Sequence, residues 1–329
     1  MMALIPRIAA VSYLNTIPFI YGIRHAGNLR AELLLTPPAL CASNFIDGNA
    51  DIALLPSAVV PRLKDAELVT DFCIGAEGEV RTVVVVSNTP IEEVRRIWLD
   101  AHSRTSVQLT GYLAARRWKI APQWLDMSDY AVLDTPQEGD AFLLIGDKVF
   151  DHEDEFIYSY DLAAEWREAT GLPFAFAVWV ARKGTPYEVT DALEEALTFG
   201  VERIYEAVQQ SDYRDRPYAY DYLTRNIDFL FDNEKRKALQ KFWTNPAEEG
   251  NRRAGGRSTF RSSRYVQPIR PPRGFAGYKP GAYDYHLPQT IQQDHPQCRS
   301  QALRRTGVRR HPVDRSAEPH DQGAEGRRR

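Results

Sequence analysis

Short polar clusters carry most of the chemistry that this sequence can offer. Serine, threonine and asparagine side chains, together with backbone N–H groups at the starts of helices, can bind a carboxylate or a hydroxyl group. A neighbouring arginine strengthens such binding through charge-assisted hydrogen bonds. Five clusters of this kind follow apolar runs, at residues 12–16, 56–57, 81–82, 102–106 and 146–148. Because ligands bind outside the carboxyl ends of strands in open α/β sheets, we expect these clusters to converge on one ligand.

Some of these clusters also fit ordinary local structure. Residues 12–16 fit a capped turn from a strand to a helix, and residues 102–106 fit a helix N-cap by one of their serines with Arg104 on the surface. Asp147 and Lys148 fit a local ion pair of small energetic value. The number of clusters, rather than any single one, therefore favours a binding site.

Familiar catalytic motifs are absent from the sequence. It contains no glycine-rich phosphate loop, no His-Glu-x-x-His and no Gly-x-Ser-x-Gly. His25, His102 and His152 lie far apart, and the three cysteines of the chain have neither disulfide-framework nor metal-ligand spacing. The sequence therefore predicts neither a metal site nor a classical triad.

Apolar runs alternate with helical segments, which predicts α/β order with mainly parallel sheets. Buried strands are predicted over residues 7–11, 32–35, 51–55, 82–87, 96–99, 141–145 and 172–180. Helices are predicted to begin at Pro18, after Pro90 and within 103–106, and to cover residues 38–45 and 232–243. A further helix is predicted to begin at an N-cap at Thr190 and to present one stripe of apolar residues that ends at Val208. Strands 82–87 and 174–180 are expected to join two lobes around a ligand cleft.

The predicted lobe boundaries follow from these crossings. Residues 1–86 and 177–244 form the first lobe, and residues 87–176 form the second. Residues 245–329 differ in charge, with 17 Lys and Arg against 8 Asp and Glu, whereas residues 1–244 contain 24 against 36. Because its apolar residues are sparse, we expect the last segment to be a disordered basic tail rich in proline and arginine.

The composition also bears on location and partners. The first residues lack the pattern of a secretory signal, and no apolar run reaches membrane-spanning length. We therefore expect a cytoplasmic protein that binds neither membrane nor nucleic acid. The sequence leaves its oligomeric state open.

Five segments carry a common signature: VSYLNTIP at 11–18, DIALLP at 51–56, LDAHSRTS at 99–106, IGDK at 145–148, and YDLAAEW leading to TGLPF within 160–174. In this order and spacing they resemble the chorismate dehydratases of the futalosine route to menaquinone, over about residues 5–244. The resemblance implies a type II periplasmic-binding-protein-like fold and an enzyme without a cofactor. That family removes water from chorismate, a small-molecule substrate, to give 3-[(1-carboxyvinyl)oxy]benzoate.

The resemblance also implies roles for particular residues. Asn15 is expected to orient the enolpyruvyl group of chorismate. Thr82, where the family often has serine, is expected to bind a carboxylate or the departing hydroxyl group. The expected substrate-binding residues are Ser12, Tyr13, Thr16, Pro56, Ser57, Ser103, Arg104, Thr105, Ser106 and Asp147.

Two alternatives stay open at this stage. The resemblance implies that the substrate's own enolpyruvyl carboxylate can take the ring proton, and Asp147 is the alternative acid–base group. The alternative function is a non-enzymatic cytoplasmic binding protein or sensor for a small anionic ligand, because a fold does not settle function.

Overall fold

The computed structural model describes residues 5–100, 103–152 and 154–244, so His102 and the predicted tail at 245–329 lie outside the described residues. The strands are β1 (Arg7–Val11), β2 (Glu32–Thr36), β3 (Ile52–Pro56), β4 (Ala66–Ala76), β5 (Val83–Ser87), β6 (Arg96–Asp100), β7 (Gln123–Met127), β8 (Asp140–Ile145), β9 (Tyr158–Asp161), β10 (Phe174–Arg182) and β11 (Asp228–Leu230). The helices are α1 (Ile17–His25), α2 (Pro38–Ile46), α3 (Thr105–Leu113), α4 (Val149–His152), α5 (Leu162–Thr170), α6 (Tyr187–Val201), α7 (Ile204–Gln209), α8 (Arg216–Arg225) and α9 (Asn233–Thr244).

The strands form two mixed sheets, which confirms the predicted α/β class. The first sheet has the order β11-β4-β10-β3-β1-β2, and the second has the order β7-β6-β8-β5-β9. Strand β1 runs parallel to β2 and β3, and β6 runs parallel to β7 and β8. Strands β5 and β10 run antiparallel to their neighbours. Strand β11 also runs antiparallel to its neighbour β4. The share of parallel pairs is therefore smaller than predicted, because β5, β10 and β11 run against the parallel strands of their sheets.

The two strands predicted to cross between lobes each pair within one sheet. Strand β5 pairs with β8 and β9, and β10 pairs with β3 and β4. The prediction of crossing strands was wrong, because a long apolar run also results from burial on both faces of one sheet. The chain instead passes from the first sheet to the second through residues 77–82 and returns after α5, shortly before the predicted boundaries at residues 86 and 176.

The helix predicted from Thr190 differs in its start and its length. Helix α6 begins at Tyr187 directly after Pro186, whose extended ψ of 140° ends the preceding turn. Thr190 lies inside the helix, where its hydroxyl donates to the Tyr187 carbonyl at 3.0 Å. The predicted apolar stripe is divided between α6 and α7, although all five of its residues are buried: Leu193, Leu197, Val201, Ile204 and Val208. Pro90 precedes only a 3-10 turn over Ile91–Glu93 rather than a helix.

Helices α1 and α6 approach each other closely through two glycines. A Cβ atom at Gly22 would lie 1.9 Å from the carbonyl oxygen of Ala196, and one at Gly200 would lie 1.9 Å from that of Pro18. Only hydrogen atoms fit at these two positions. This contact holds α1, and with it the loop between β1 and α1, against the first sheet.

Candidate functional site

A cavity between the two sheets collects most of the predicted site residues. The empty space in and around it, open solvent included, is about 590 Å³. Nine of the twelve predicted residues line it: Tyr13, Asn15, Thr16, Pro56, Thr82, Ser103, Arg104, Thr105 and Ser106. Its apolar lining includes Val11, Leu54, Ile74, Val83, Ile145 and Phe176. The polar clusters therefore converge, as the strand-end pattern predicted.

The loop after β1 is held by its own threonine. Thr16 is fully buried, and its hydroxyl donates to the carbonyl oxygens of Val11 at 2.6 Å and Tyr13 at 2.8 Å. This hydroxyl therefore shapes the 3-10 turn Leu14–Thr16 that leads into α1. The half-buried Asn15 in the middle of that turn is left facing the cavity.

Thr82 meets a residue that the sequence did not single out. It lies just before β5, and its Oγ1 atom is 2.7 Å from the hydroxyl oxygen of Tyr222 in α8. The Thr82 hydroxyl also donates to the Val80 carbonyl oxygen at 3.5 Å. Burial raises the pKa of Tyr222 above its ordinary value, so the phenol is neutral at physiological pH. Thr82 and Tyr222 thus form one buried hydrogen-bonded pair.

Residues 103–106 at the start of α3 take part in local helix-start hydrogen bonding and also line the cavity. The Ser103 hydroxyl oxygen accepts the Ser106 backbone N–H at 3.1 Å, which is a local helix-start bond. Ser103 still lines the cavity and keeps its own O–H to donate. Arg104 is exposed and also lines the cavity. Arg104 occupies the N-cap position and no side chain caps it, so the predicted serine N-cap is replaced by the Ser103–Ser106 bond from one residue earlier. The cluster remains available to an anion.

Thr105 connects the start of α3 to the first sheet through hydrogen bonds of its hydroxyl group. Its Oγ1 atom donates to the Phe176 carbonyl at 3.0 Å and accepts the Ala58 N–H at 3.2 Å. Ser57 lies 3.5 Å from the same atom and is fully buried, outside the cavity lining. The hydroxyls of these two residues therefore hold the α3 start against the first sheet.

A second link between the sheets involves Asp147. Its carboxylate oxygens each lie 3.4 Å from the Leu14 nitrogen, whose N–H they accept. Burial raises the pKa of Asp147 above its ordinary value of 3.8, and the Leu14 N–H offsets part of that rise. The Tyr13 ring packs on Gly146, where an added Cβ would lie 3.2 Å from the ring and where φ is +68°. Asp147 itself lies outside the cavity lining, as does the exposed Ser12.

The ion pair predicted between Asp147 and Lys148 is replaced by a different one. Lys148 Nζ lies 3.3 Å from Asp100 Oδ2, and the ammonium also contacts Tyr130, which donates to the same carboxylate. Asp100 is 1% exposed at the end of β6. Burial, together with the Asp100 and Asp147 carboxylates, raises the pKa of Tyr13 to about 12. Lys148 therefore neutralises a buried charge beside the cavity.

Tyr222 is the functional candidate that sequence reasoning missed. It lies 140 positions beyond Thr82, in a helix that carries no recognisable motif. Only the position of that helix against the loop after β1 brings its hydroxyl to the site.

Metal-binding and membrane-spanning features were also searched. Within residues 5–100, 103–152 and 154–244, no group of three or more His, Cys, Asp or Glu side chains could hold a metal ion. None of the helices in this same part of the chain is long and apolar enough to cross a bilayer.

Solved structures with this architecture define the class of fold. Protein AF1704 of Archaeoglobus fulgidus superposes with a TM-score of 0.61 at 17% identity, covering 74% of this chain and 97% of that one. The Candida albicans CA3427 gene product, described as having the generic periplasmic binding protein fold, superposes with a TM-score of 0.52 at 12% identity, covering 74% of this chain and 91% of that one. The chain therefore has a periplasmic-binding-protein-like fold, as predicted.

The particular family follows from the sequence. A family model described as menaquinone biosynthesis matches residues 6–248, and the chain belongs to this family. Chorismate dehydratase of Thermus thermophilus is 24% identical over 258 residues, which is 70% of this chain and 91% of that protein. The predicted resemblance is thereby confirmed.

Proposed function

We propose that this protein is a lyase that removes water from chorismate to give 3-[(1-carboxyvinyl)oxy]benzoate, in the futalosine route to menaquinone. The observation that carries the proposal is the convergence of Asn15, Thr82 and the α3 start on one cavity. Chorismate has two carboxylates, a hydroxyl and an enolpyruvyl ether, and these groups suit a cavity of amides, hydroxyls and one arginine. The relation to a chorismate dehydratase supports the same reading.

The reaction moves one proton in two transfers and has one leaving group. The base removes the proton from the ring carbon that bears the ether, and the electron pair of that C–H bond enters the ring as the neighbouring C–O bond breaks. The proton held by the base passes to the departing hydroxyl, which leaves as water, and the ring becomes aromatic. Because aromaticity drives the elimination, the protein mainly has to hold one conformer and direct one proton.

Particular residues are assigned to substrate orientation, to the leaving group and to carboxylate binding. Asn15 orients the enolpyruvyl group so that its carboxylate reaches the ring proton. Thr82 donates a hydrogen bond to the departing hydroxyl or to a carboxylate. Ser103, Arg104 and Ser106 bind a carboxylate at the start of α3, where free N–H groups favour an anion. The apolar lining excludes water from the reacting atoms.

The proposal is tested by incubating the purified protein with chorismate, with and without EDTA. Products are separated by liquid chromatography and identified by mass. We expect catalytic loss of one water from chorismate in both conditions, and we expect the Asn15→Leu variant, purified in the same way, to be much slower. That variant controls for a contaminating enzyme.

A binding protein would give a different result. A non-enzymatic sensor with this fold would bind a small anion stoichiometrically and return it unchanged. Unchanged chorismate, from protein shown by circular dichroism to be folded, would therefore contradict the dehydratase proposal. Activity that EDTA abolishes would contradict the expected independence from a metal.

A further inference from the structure

Tyr222 lies directly behind Thr82, which lines the cavity. It is 1% exposed and is not among the residues that line the cavity. Its hydroxyl oxygen lies 2.7 Å from Thr82 Oγ1, and Phe150 packs edge-on against its ring at 5.7 Å. The ring is thus held from behind, and the hydroxyl is aimed at the site.

The direction of the hydrogen bond between Tyr222 and Thr82 decides what Thr82 can do in the cavity. The Thr82 hydroxyl has one proton to donate. If it donates to Tyr222, no proton remains for the cavity. If it accepts from Tyr222, its proton is held only by the Val80 carbonyl oxygen, 3.5 Å away, and can turn to the substrate. Only the second arrangement lets Thr82 donate to a carboxylate or to a departing hydroxyl.

We propose that Tyr222 is a positioning residue that sets this direction, donating to Thr82 so that Thr82 can donate to the substrate. The inference rests on the proposed function, since it assigns Tyr222 a part in the same elimination. Tyr222 does not touch the substrate, and it transfers no proton to it. Its removal should therefore affect the chemical step more than substrate binding.

The test is a double-mutant cycle between Tyr222→Phe and Thr82→Val, assayed by steady-state turnover of chorismate. We expect each single variant to lower kcat by ten- to a hundredfold, with KM changed by less than threefold. We expect the double variant to be no more than threefold slower than the slower single variant, because residues that act as one unit are not additive. Tyr220→Phe, on the same helix and half-buried against Tyr205, is the matched control and should retain wild-type kcat.

The Thr82→Ser variant tests the same hydrogen-bond direction while Tyr222 stays unchanged. Serine keeps both the acceptor for Tyr222 and the proton for the cavity, so Thr82→Ser should lose at least tenfold less kcat than Thr82→Val. Equal losses in Thr82→Ser and Thr82→Val would contradict a role for that hydroxyl. All variants are assayed at a temperature at which circular dichroism shows each to be folded.

The possible failures are distinguishable. A wild-type protein that does not convert chorismate would overturn the proposed function and this inference with it. A wild-type protein that does, together with a Tyr222→Phe variant as fast as Tyr220→Phe, would overturn the inference alone. Losses that multiply in the double variant would show that Tyr222 acts independently of Thr82.

Discussion

Replacement of Gly22 by alanine tests whether the contact between α1 and α6 holds the site together. An added Cβ atom would lie 1.9 Å from the Ala196 carbonyl oxygen and 3.0 Å from the Gly200 nitrogen. An ordinary contact begins at 3.4 Å, so the backbones must separate by roughly 1.5 Å at this point. Both obstacles are backbone atoms, so no side chain can rotate away to relieve them.

The expected loss of stability follows from two opposing effects. Overpacking of a well-packed contact costs about 1–3 kcal/mol, and a backbone obstacle belongs at the upper end of that range. Alanine is favoured over glycine in a helix by about 1 kcal/mol, which offsets part of the cost. The net loss in unfolding free energy is therefore about 2 kcal/mol, which lowers Tm by about 4–8 °C for a protein of this size.

Thermal unfolding followed by circular dichroism measures this change directly. Gly78→Ala is the matched control, because an added Cβ there meets nothing within 4 Å, and its Tm should stay close to that of wild type. We also expect Gly22→Ala to lower kcat, since the turn that contains Asn15 runs directly into α1. A Gly22→Ala protein that melts at or above the wild-type Tm would refute the reasoning.

Three further predictions concern single side chains. Asn15→Leu should lower kcat by at least one to two orders of magnitude, because a hydrogen bond to a charged group is worth ~1.5–3 kcal/mol, and near-normal turnover would remove Asn15 from the mechanism. Asp147→Asn keeps an acceptor for the Leu14 N–H and should hold kcat within about threefold, whereas a loss of about a hundredfold would make Asp147 the acid–base group. Burial raises the pKa of Glu194 from 4.5 to about 7, so its contribution to stability is present below pH 4.5 and lost as the pH rises through 7. Glu194→Gln should therefore raise Tm relative to wild type at pH 8 but not at pH 4, and an equal Tm difference at both values would contradict this assignment.

Local patterns in the sequence were sufficient for the strand ends and for many of the residues that line the cavity. The apolar run before Ser12 predicted β1, and the polar residues after it, including Asn15, were correctly expected at the carboxyl end of a strand. The same holds for Pro56 at the end of β3 and for the start of α3. These predictions succeed because strand burial and helix starts depend on neighbouring residues, whose types and spacing are visible in one short segment.

Pairing partners could not be predicted in the same way. The long apolar runs of β5 and β10 indicated burial, but burial on two faces of one sheet and passage between two sheets require the same residue types. Helix α6 also begins before Thr190, which was predicted to be its N-cap. A hydroxyl inside a helix can bond to a preceding carbonyl as readily as it can cap a terminus, so the residue type alone did not fix the helix start.

The sequence by itself determined the α/β class, the polar strand ends and the family resemblance, since all three depend on residues that are close in the chain or on motifs in order. Only the tertiary structure decided which hydroxyls face the cavity and which hold the two sheets together. Thr16 and Thr105 bond to backbone groups, whereas Thr82 meets Tyr222 across 140 positions. A hydroxyl side chain can donate or accept in any direction, and its partner is set by distant segments that packing brings within 3 Å or so.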